Sequence, residues 1–556
     1  MGIKLLVWFC GAVAAVSLFA EGGSGVMLEW MGKQKVVNHH NDVPFHVLER
    51  KYSFDAKGKH EEDNGSENMI IHGDNLVALK SLLPRYEGQI KCIYIDPPYN
   101  TGNEGWVYND NVNDPQIKKW LGEVVGKEGE DFSRHDKWLC MMYPRLKLLQ
   151  KLLANDGAIF ISIDSNEAKY LRLILDEIFG SQCFVEEIIW KNKYGPGALT
   201  KGIGNVHEYI MCYSKTPLKS IAAPLSEEDK KKYKMRDEKF DVRGGFITQP
   251  LATKSKDDRP NLVYPVIHDG EEIWPDKQWI WERSRLMKAI EDGNVVFSKK
   301  SGKWSVRFKQ YLKDENGVMR LGKPISILTG PYNQDGTAEM ELIFGDRKAF
   351  DNPKPMELLK YLFSFVFNGE RVNDGIYLDS FAGSGTSAHA VLKLNKDDSG
   401  SRKFILIEMM DYADSITGER VRRVIRGYGS GDDKVEGTGG DFSFYELGPQ
   451  LMIDGVLNED VPTEKIREYV WYTETKQPIG AAEKGDAYKL GEAFGVAYYF
   501  CYEKNKSMTL NRALLKKIKT KAESYVVYAD ACTLSPEELE KMHITFKKIP
   551  RDVTRF

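Results

Sequence analysis

The chain has little cysteine and none of it in metal-binding order. Its seven cysteines (Cys10, Cys92, Cys140, Cys183, Cys212, Cys501 and Cys532) are scattered over 556 residues without a Cys-x-x-Cys pair. That usage argues against a zinc site and a disulfide framework, so no structural metal is expected, and it suits a reducing cytosol. Neither sign of charge prevails: 78 basic residues against 81 acidic ones leave a net charge of -3. A uniformly basic nucleic-acid binder is thereby excluded, and any nucleic-acid contact must come from a local patch. Helicase and nuclease motifs are missing, and long apolar runs are confined to Ile3–Ala20. Hydrophobic content of 42% and charged content of 29% are those of an ordinary globular protein, long enough for two to four domains.

What is present begins with Ile93-Tyr-Ile-Asp-Pro-Pro-Tyr-Asn-Thr-Gly-Asn103. A run of β-formers from Ile90 to Ile95 stops at Asp96. Pro97 and Pro98 cannot donate to a strand ladder, so the strand ends there. In an open α/β sheet the carboxyl ends of strands are where ligands bind. A carboxylate, a fixed carbonyl and the Tyr99 ring suit a flat heterocycle gripped by an exocyclic amino group. An ordinary strand-to-loop turn is the plainer reading of this stretch alone.

A second feature lies far along the chain, Ile376-Tyr-Leu-Asp-Ser-Phe-Ala-Gly-Ser-Gly-Thr-Ser-Ala-His-Ala390. It reads as a short strand, a Gly-x-Gly turn at Gly383 and Gly385, and a helix running to Leu394. A dinucleotide fingerprint would carry a third glycine where this chain has Ala388. The next strand, Lys403–Ile407, leads to Glu408, an acid about 20 residues on, where a ribose hydroxyl is typically held. Glycine turn and acid together point to a nucleoside cofactor.

Asp-Pro-Pro-Tyr and Phe-Ala-Gly-Ser-Gly-Thr resemble the catalytic and cofactor motifs of amino-methyltransferases that use S-adenosylmethionine, here in the permuted β-class order. The longer match from Asp96 to Asn111, with Trp138–Leu146, Asp156–Asp164 and His207–Tyr213, is similar to the Mod subunits of type III restriction-modification systems. The resemblance covers roughly residues 68–213 and 351–426. It implies an α/β fold with a doubly wound, mostly parallel, circularly permuted methyltransferase sheet, an inserted target-recognition domain and a C-terminal accessory domain. It implies Asp96, Pro97, Pro98 and Tyr99 as catalytic residues. For the cofactor it implies Asp74, Lys354, Asp379, Phe381, Gly383, Gly385, Thr386 and Glu408. S-adenosylmethionine is the expected cofactor, and double-stranded DNA, a second copy of the chain and a restriction (Res) subunit are the expected partners.

The expected organisation follows. Residues 1–26 form an apolar extension of signal-peptide character; an over-extended reading frame, with the functional start at Met27 or Met31, is favoured over a membrane tether, in keeping with a cytoplasmic protein. Residues 27–67 are expected as a solvated arm, since His39, His40, His46 and Asp42 fit no ligand template. Residues 68–213 are the catalytic half and 351–430 the cofactor half. Between them, 214–350 loses the strand–helix rhythm and carries a basic run (Lys230 to Arg243) and tryptophans at 274, 279, 281 and 304. The resemblance makes that segment the target-recognition domain. Trp106, Tyr108, Asn109 and Asp110 read equally as a loop able to close over a displaced base and as a mobile surface excursion. Residues 431–556 form the accessory or dimerisation domain.

The expected reaction is methyl transfer to the N6 amino group of adenine in a flipped-out base. N4 of cytosine needs the same geometry, and a non-catalytic DNA-specificity subunit is the alternative of a different class; RNA methylation and dinucleotide oxidoreduction are weaker contenders.

Overall fold

The computed structural model describes residues 28–101, 131–197, 201–254, 257–369, 373–480, 486 and 488–551. The apolar extension and the loop with Trp106, Tyr108, Asn109 and Asp110 lie outside these. Among the described residues no helix is long and apolar enough to cross a membrane.

Eleven strands form the main sheet: β1 (His46–Asp55), β2 (Gly58–His60), β3 (Met69–His72), β4 (Ile90–Ile95), β5 (Leu153–Ile163), β6 (Phe184–Lys191), β7 (Glu208–Ser214), β8 (Ile327–Thr329), β9 (Ile376–Asp379), β10 (Lys403–Glu408) and β11 (Asp441–Gln450). Their order is β8-β6-β7-β5-β4-β9-β10-β3-β11-β1-β2. The central run from β5 to β11 is parallel throughout. Strand β7 is antiparallel to both β5 and β6. From β4 the chain proceeds to β5 on one side, and from β9 to β10 on the other, so the order reverses at the β4–β9 junction. That junction is the topological switch point.

Helices cover both faces. Helix α1 (Asn75–Tyr86), α2 (Asp131–Leu152) and α3 (Ala168–Phe179) pack on the face presented by Ile93, Ile95, Ile159, Ile161 and Ile405. Strand alternation sends Tyr94 to the other face, where it meets Phe363 of the helix Met356–Phe363 at a ring separation of 6.4 Å. Burying each such aliphatic or aromatic side chain contributes roughly 1.5–3 kcal/mol. This is why the parallel strands read as near-continuous apolar runs.

Three boundaries differ from expectation. Residues 28–60 are no solvated arm: β1 pairs with β11, and Trp30, Val36, His39, His40, Tyr52 and Phe54 are buried. Burial there pulls the His40 imidazole down to about 4, so it stays neutral at ordinary pH. Strand β11 pairs in parallel with β3, which extends the methyltransferase-like sheet beyond residue 430. After it come the helix Thr463–Thr475 and a separate four-stranded sheet that includes Val496–Phe500.

The chain divides into two compact units. The larger holds residues 1–219, 325–363 and 370–556, and the smaller 220–324 with 364–369. The smaller unit is therefore narrower than the expected 214–350 insertion, because β8 pairs with β6 and returns residues 325–350 to the main sheet. Within the smaller unit, strands Phe246–Pro250, Val295–Lys300 and Lys303–Tyr311 form an antiparallel sheet. Its core is Leu251, Tyr264, Val266, Trp279, Leu286 and Val306. Trp279 is thus core, while Trp274 is exposed.

Candidate active site

Strand β4 delivers Asp96 at its carboxyl end, and the two prolines stop the ladder there. The Trp138 indole N–H donates to the Pro98 carbonyl at 2.7 Å, tying the turn to α2. Asn100 follows in the left-handed region at φ 57° and donates to the buried Glu167 carboxylate. The bend is held from both sides before the chain leaves it.

Strand β9 delivers Asp379 beside it. Gly383 and Gly385 have φ of 50° and 80°, which side-chain-bearing residues rarely adopt, and Thr386 opens the helix Thr386–Asp398. The Thr417 hydroxyl donates to the Gly383 carbonyl at 2.6 Å. Behind the turn, the fully buried Arg420 donates to the Ser384 and Thr386 hydroxyls at 2.9 and 2.8 Å and pairs with Glu339 at 2.6 Å.

The two bends open on one cavity of about 770 Å³, within the range of small-molecule sites. Asp96, Pro97, Pro98 and Tyr99 line it with Lys354, Asp379, Phe381, Gly383 and Thr386. Three expected residues do not line it. Asp74 caps α1, its Oδ1 accepting from the Leu76 and Val77 N–H groups. Gly385 sits behind the turn, against Thr417. Glu408 is buried and accepts from the Gly383 N–H at 2.7 Å and the Met410 N–H at 3.0 Å, so here it shapes the glycine turn.

Charge in the cavity is arranged tightly. Lys354 Nζ lies 2.8 Å from Asp96 Oδ2 and 3.7 Å from Glu208 Oε2. Burial lowers the affinity of Lys354 for its proton, but the Asp96 and Glu208 carboxylates outweigh it and hold its pKa above the ordinary value. The Tyr99 hydroxyl donates to Asp96 Oδ1 at 2.8 Å and lies 3.1 Å from Glu208 Oε2; burial and both carboxylates raise its pKa, so it stays protonated. Burial lifts Asp379 and Glu408 to about 7 each.

Glu208, Asn192, Phe350 and Arg420 belong to the site or its support and were not among the expected residues. No local pattern in the sequence marked Glu208. It opens β7, and because β7 runs antiparallel to β5, its first residue lies at the edge where β4 and β5 end.

A DNA methylase family profile matches residues 90–417, more than half of the chain and both bends with it. The chain belongs to the N6/N4 DNA methylase family. The StyLTI Mod subunit of a type III restriction-modification enzyme from Salmonella typhimurium is 36% identical to this chain over 360 residues, covering 62% of this chain and 53% of its own. The EcoPI Mod subunit of Escherichia phage P1 is 33% identical over 426 residues, covering 68% and 63%. The type II methyltransferase M.KpnI of Klebsiella pneumoniae is 32% identical over 371 residues, covering 62% and 81%. The chain thus spans between about half and two thirds of the length of the Mod subunits it matches. Among solved structures, the PvuII cytosine-N4-specific DNA methyltransferase aligns at a TM-score of 0.32 and 13% identity, covering 64% of this chain and 86% of that one.

Proposed function

We propose that the chain transfers a methyl group from S-adenosylmethionine to the N6 amino group of adenine in double-stranded DNA, as the modification subunit of a type III restriction-modification system. The observation that carries this reading is that Asp96 and Gly383 line one cavity. The residues present fit the cofactor. Gly383 leaves a space that a Cβ would narrow, coming within 3.2 Å of the Phe350 ring, and Phe381 adds an apolar wall. Asp379, Phe381, Gly383 and Thr386 would hold it, with Lys354 at the acceptor side. When bound, it supplies an activated, electrophilic methyl carbon.

The protein's own part is placement and charge. Adenine's amino lone pair is delocalised into its ring, which makes it a weak nucleophile. The Asp96 carboxylate and the Pro97 carbonyl accept the two amino hydrogens, localise the lone pair and stabilise positive charge developing on nitrogen. The rigid diproline bend fixes both acceptors before the base arrives, so alignment costs little at the moment of reaction. The amino group lies inside the duplex, so the base is extruded, and the Tyr99 ring gives it a stacking face. Residues 220–324 are the part that reads the DNA sequence, with lysine and arginine on phosphates and a few side chains on base edges. The relatives named as Mod subunits support a Res subunit as partner, and a homodimer and a cytoplasmic location complete the reading.

The test is to incubate the protein with labelled donor and random-sequence DNA and to map the modified bases. Methyl groups on adenine N6 are expected, and Asp96→Ala is expected to abolish transfer, by a factor of at least ~100, while keeping donor binding. Label on cytosine N4 would reassign the target base. A protein that binds DNA but transfers nothing would be a specificity subunit only.

A further inference from the structure

Both oxygens of Asp96 are already occupied. The Tyr99 hydroxyl takes Oδ1 at 2.8 Å and the Lys354 ammonium takes Oδ2 at 2.8 Å. Each oxygen can accept a further hydrogen bond, but Lys354 Nζ also lies over the Tyr99 ring, 5.0 Å from its centroid, so a base stacked on that face takes the ammonium's place beside Oδ2. A displaced ammonium in a closed site is costly unless another carboxylate receives it.

Glu208 is built to receive it. Its Oε2 lies 3.7 Å from Lys354 Nζ, so a shift of roughly 1 Å converts the longer contact into a charge-assisted hydrogen bond. Its Oε1 accepts from Asn192 Nδ2 at 2.6 Å, which keeps the carboxylate from rotating away. The side chains of Lys354 and Glu208 are 11% and 14% exposed, whereas that of Asp96 is 25% exposed. The acceptor that meets the substrate is therefore the more open of the two carboxylates, and the reserve acceptor is the more enclosed.

We propose that Glu208 is a positioning residue for methyl transfer: it is a second seat for the Lys354 ammonium, which guards Asp96 while the cavity is empty and steps aside to Glu208 when an amino group takes Oδ2. No covalent bond forms or breaks in this step. It clears the hydrogen-bond acceptor and also moves a positive charge away from the nitrogen on which positive charge will develop. The inference rests on the amino-methyltransferase reading above.

Three measurements test it. Glu208→Gln keeps the shape and the bond from Asn192 but cannot seat an ammonium as well. It is expected to lower kcat by about 10-fold or more while half-saturating concentrations of donor and DNA stay within about twofold, since the blocked step follows binding. Lys354→Met removes the group that needs the seat, so the double variant with Glu208→Gln is expected to be no slower than Lys354→Met alone; losses that simply multiply would overturn the proposal. Independently of turnover, acetic anhydride labelling of Lys354, followed by mass spectrometry, is expected to quicken severalfold in both Glu208→Gln and Asp96→Asn, because each loses one of the two carboxylates that keep the amine protonated. Labelling unchanged by Glu208→Gln would overturn the shared ammonium. A wild type that methylates no DNA defeats the functional reading, and the positioning role with it. An active wild type matched in kcat by Glu208→Gln overturns the positioning role alone.

Discussion

Ile93 and Leu378 are register partners across the β4–β9 junction, although nearly the whole catalytic half and the inserted unit lie between them in the chain. Three residues beyond Ile93 stands Asp96, and the glycine turn begins shortly beyond Leu378. Parallel neighbours that part company in opposite directions leave a crevice at their carboxyl ends. The pairing of these two apolar residues in the sheet thus decides that a carboxylate and the glycine turn share one cavity.

Tyr99 contributes a hydroxyl and a ring, and the two can be separated. Tyr99→Phe removes the donor to Asp96 and Glu208 but keeps the stacking face, and a loss of about 1 kcal/mol, some 5-fold in single-turnover methyl transfer, is expected. Tyr99→Ala removes the ring as well and should lose a further ~1–3 kcal/mol. A phenylalanine variant as slow as the alanine variant would contradict a stacking role.

Gly383→Val places a β-branched residue at φ 50° with its Cβ about 3.2 Å from the Phe350 ring. We expect donor affinity, measured by calorimetry, to fall by more than ~10-fold, since left-handed strain alone costs roughly 1–2 kcal/mol and the cavity narrows besides. Equal affinity in variant and wild type would remove Gly383 from the donor site.

Burial raises Asp379 from 3.8 to about 7. Between those values the folded chain keeps a proton that the unfolded chain has lost, so stability falls as pH rises from about 4 to about 7 and levels off above. Asp379→Asn stays neutral and removes this contribution. The drop in thermal midpoint between pH 5 and pH 8 should therefore shrink in the variant. It should not vanish, because Glu408, also raised to about 7 by burial, pulls in the same direction. An unchanged drop would mean that Asp379 is ionised throughout that range.

Much of the site was legible because its makers act locally. Proline ends a ladder wherever it falls, and a Gly-x-Gly turn needs no distant partner, so the two bends could be read from their own residues. Glu208 could not. It sits beside Tyr99 only because β7 reverses direction in the sheet, a fact of pairing that no local pattern records. The burial of much of residues 28–54 was hidden for the same reason: β1 is covered by β11, nearly 400 residues later. The limits of the smaller unit were misjudged because a strand as short as β8 carries too few residues to show periodicity.

The inserted unit leaves the main sheet after β7 and returns before β8, strands that flank β6 at one margin of that sheet. Nothing central is interrupted by the excursion, so such a segment can be exchanged between relatives like a cassette while the chemistry stays in place. The exchange has one hidden condition: Val366–Phe367 pairs with Ile221–Pro224 inside the smaller unit, so a transplanted cassette must bring residues 364–369 along or lose a strand.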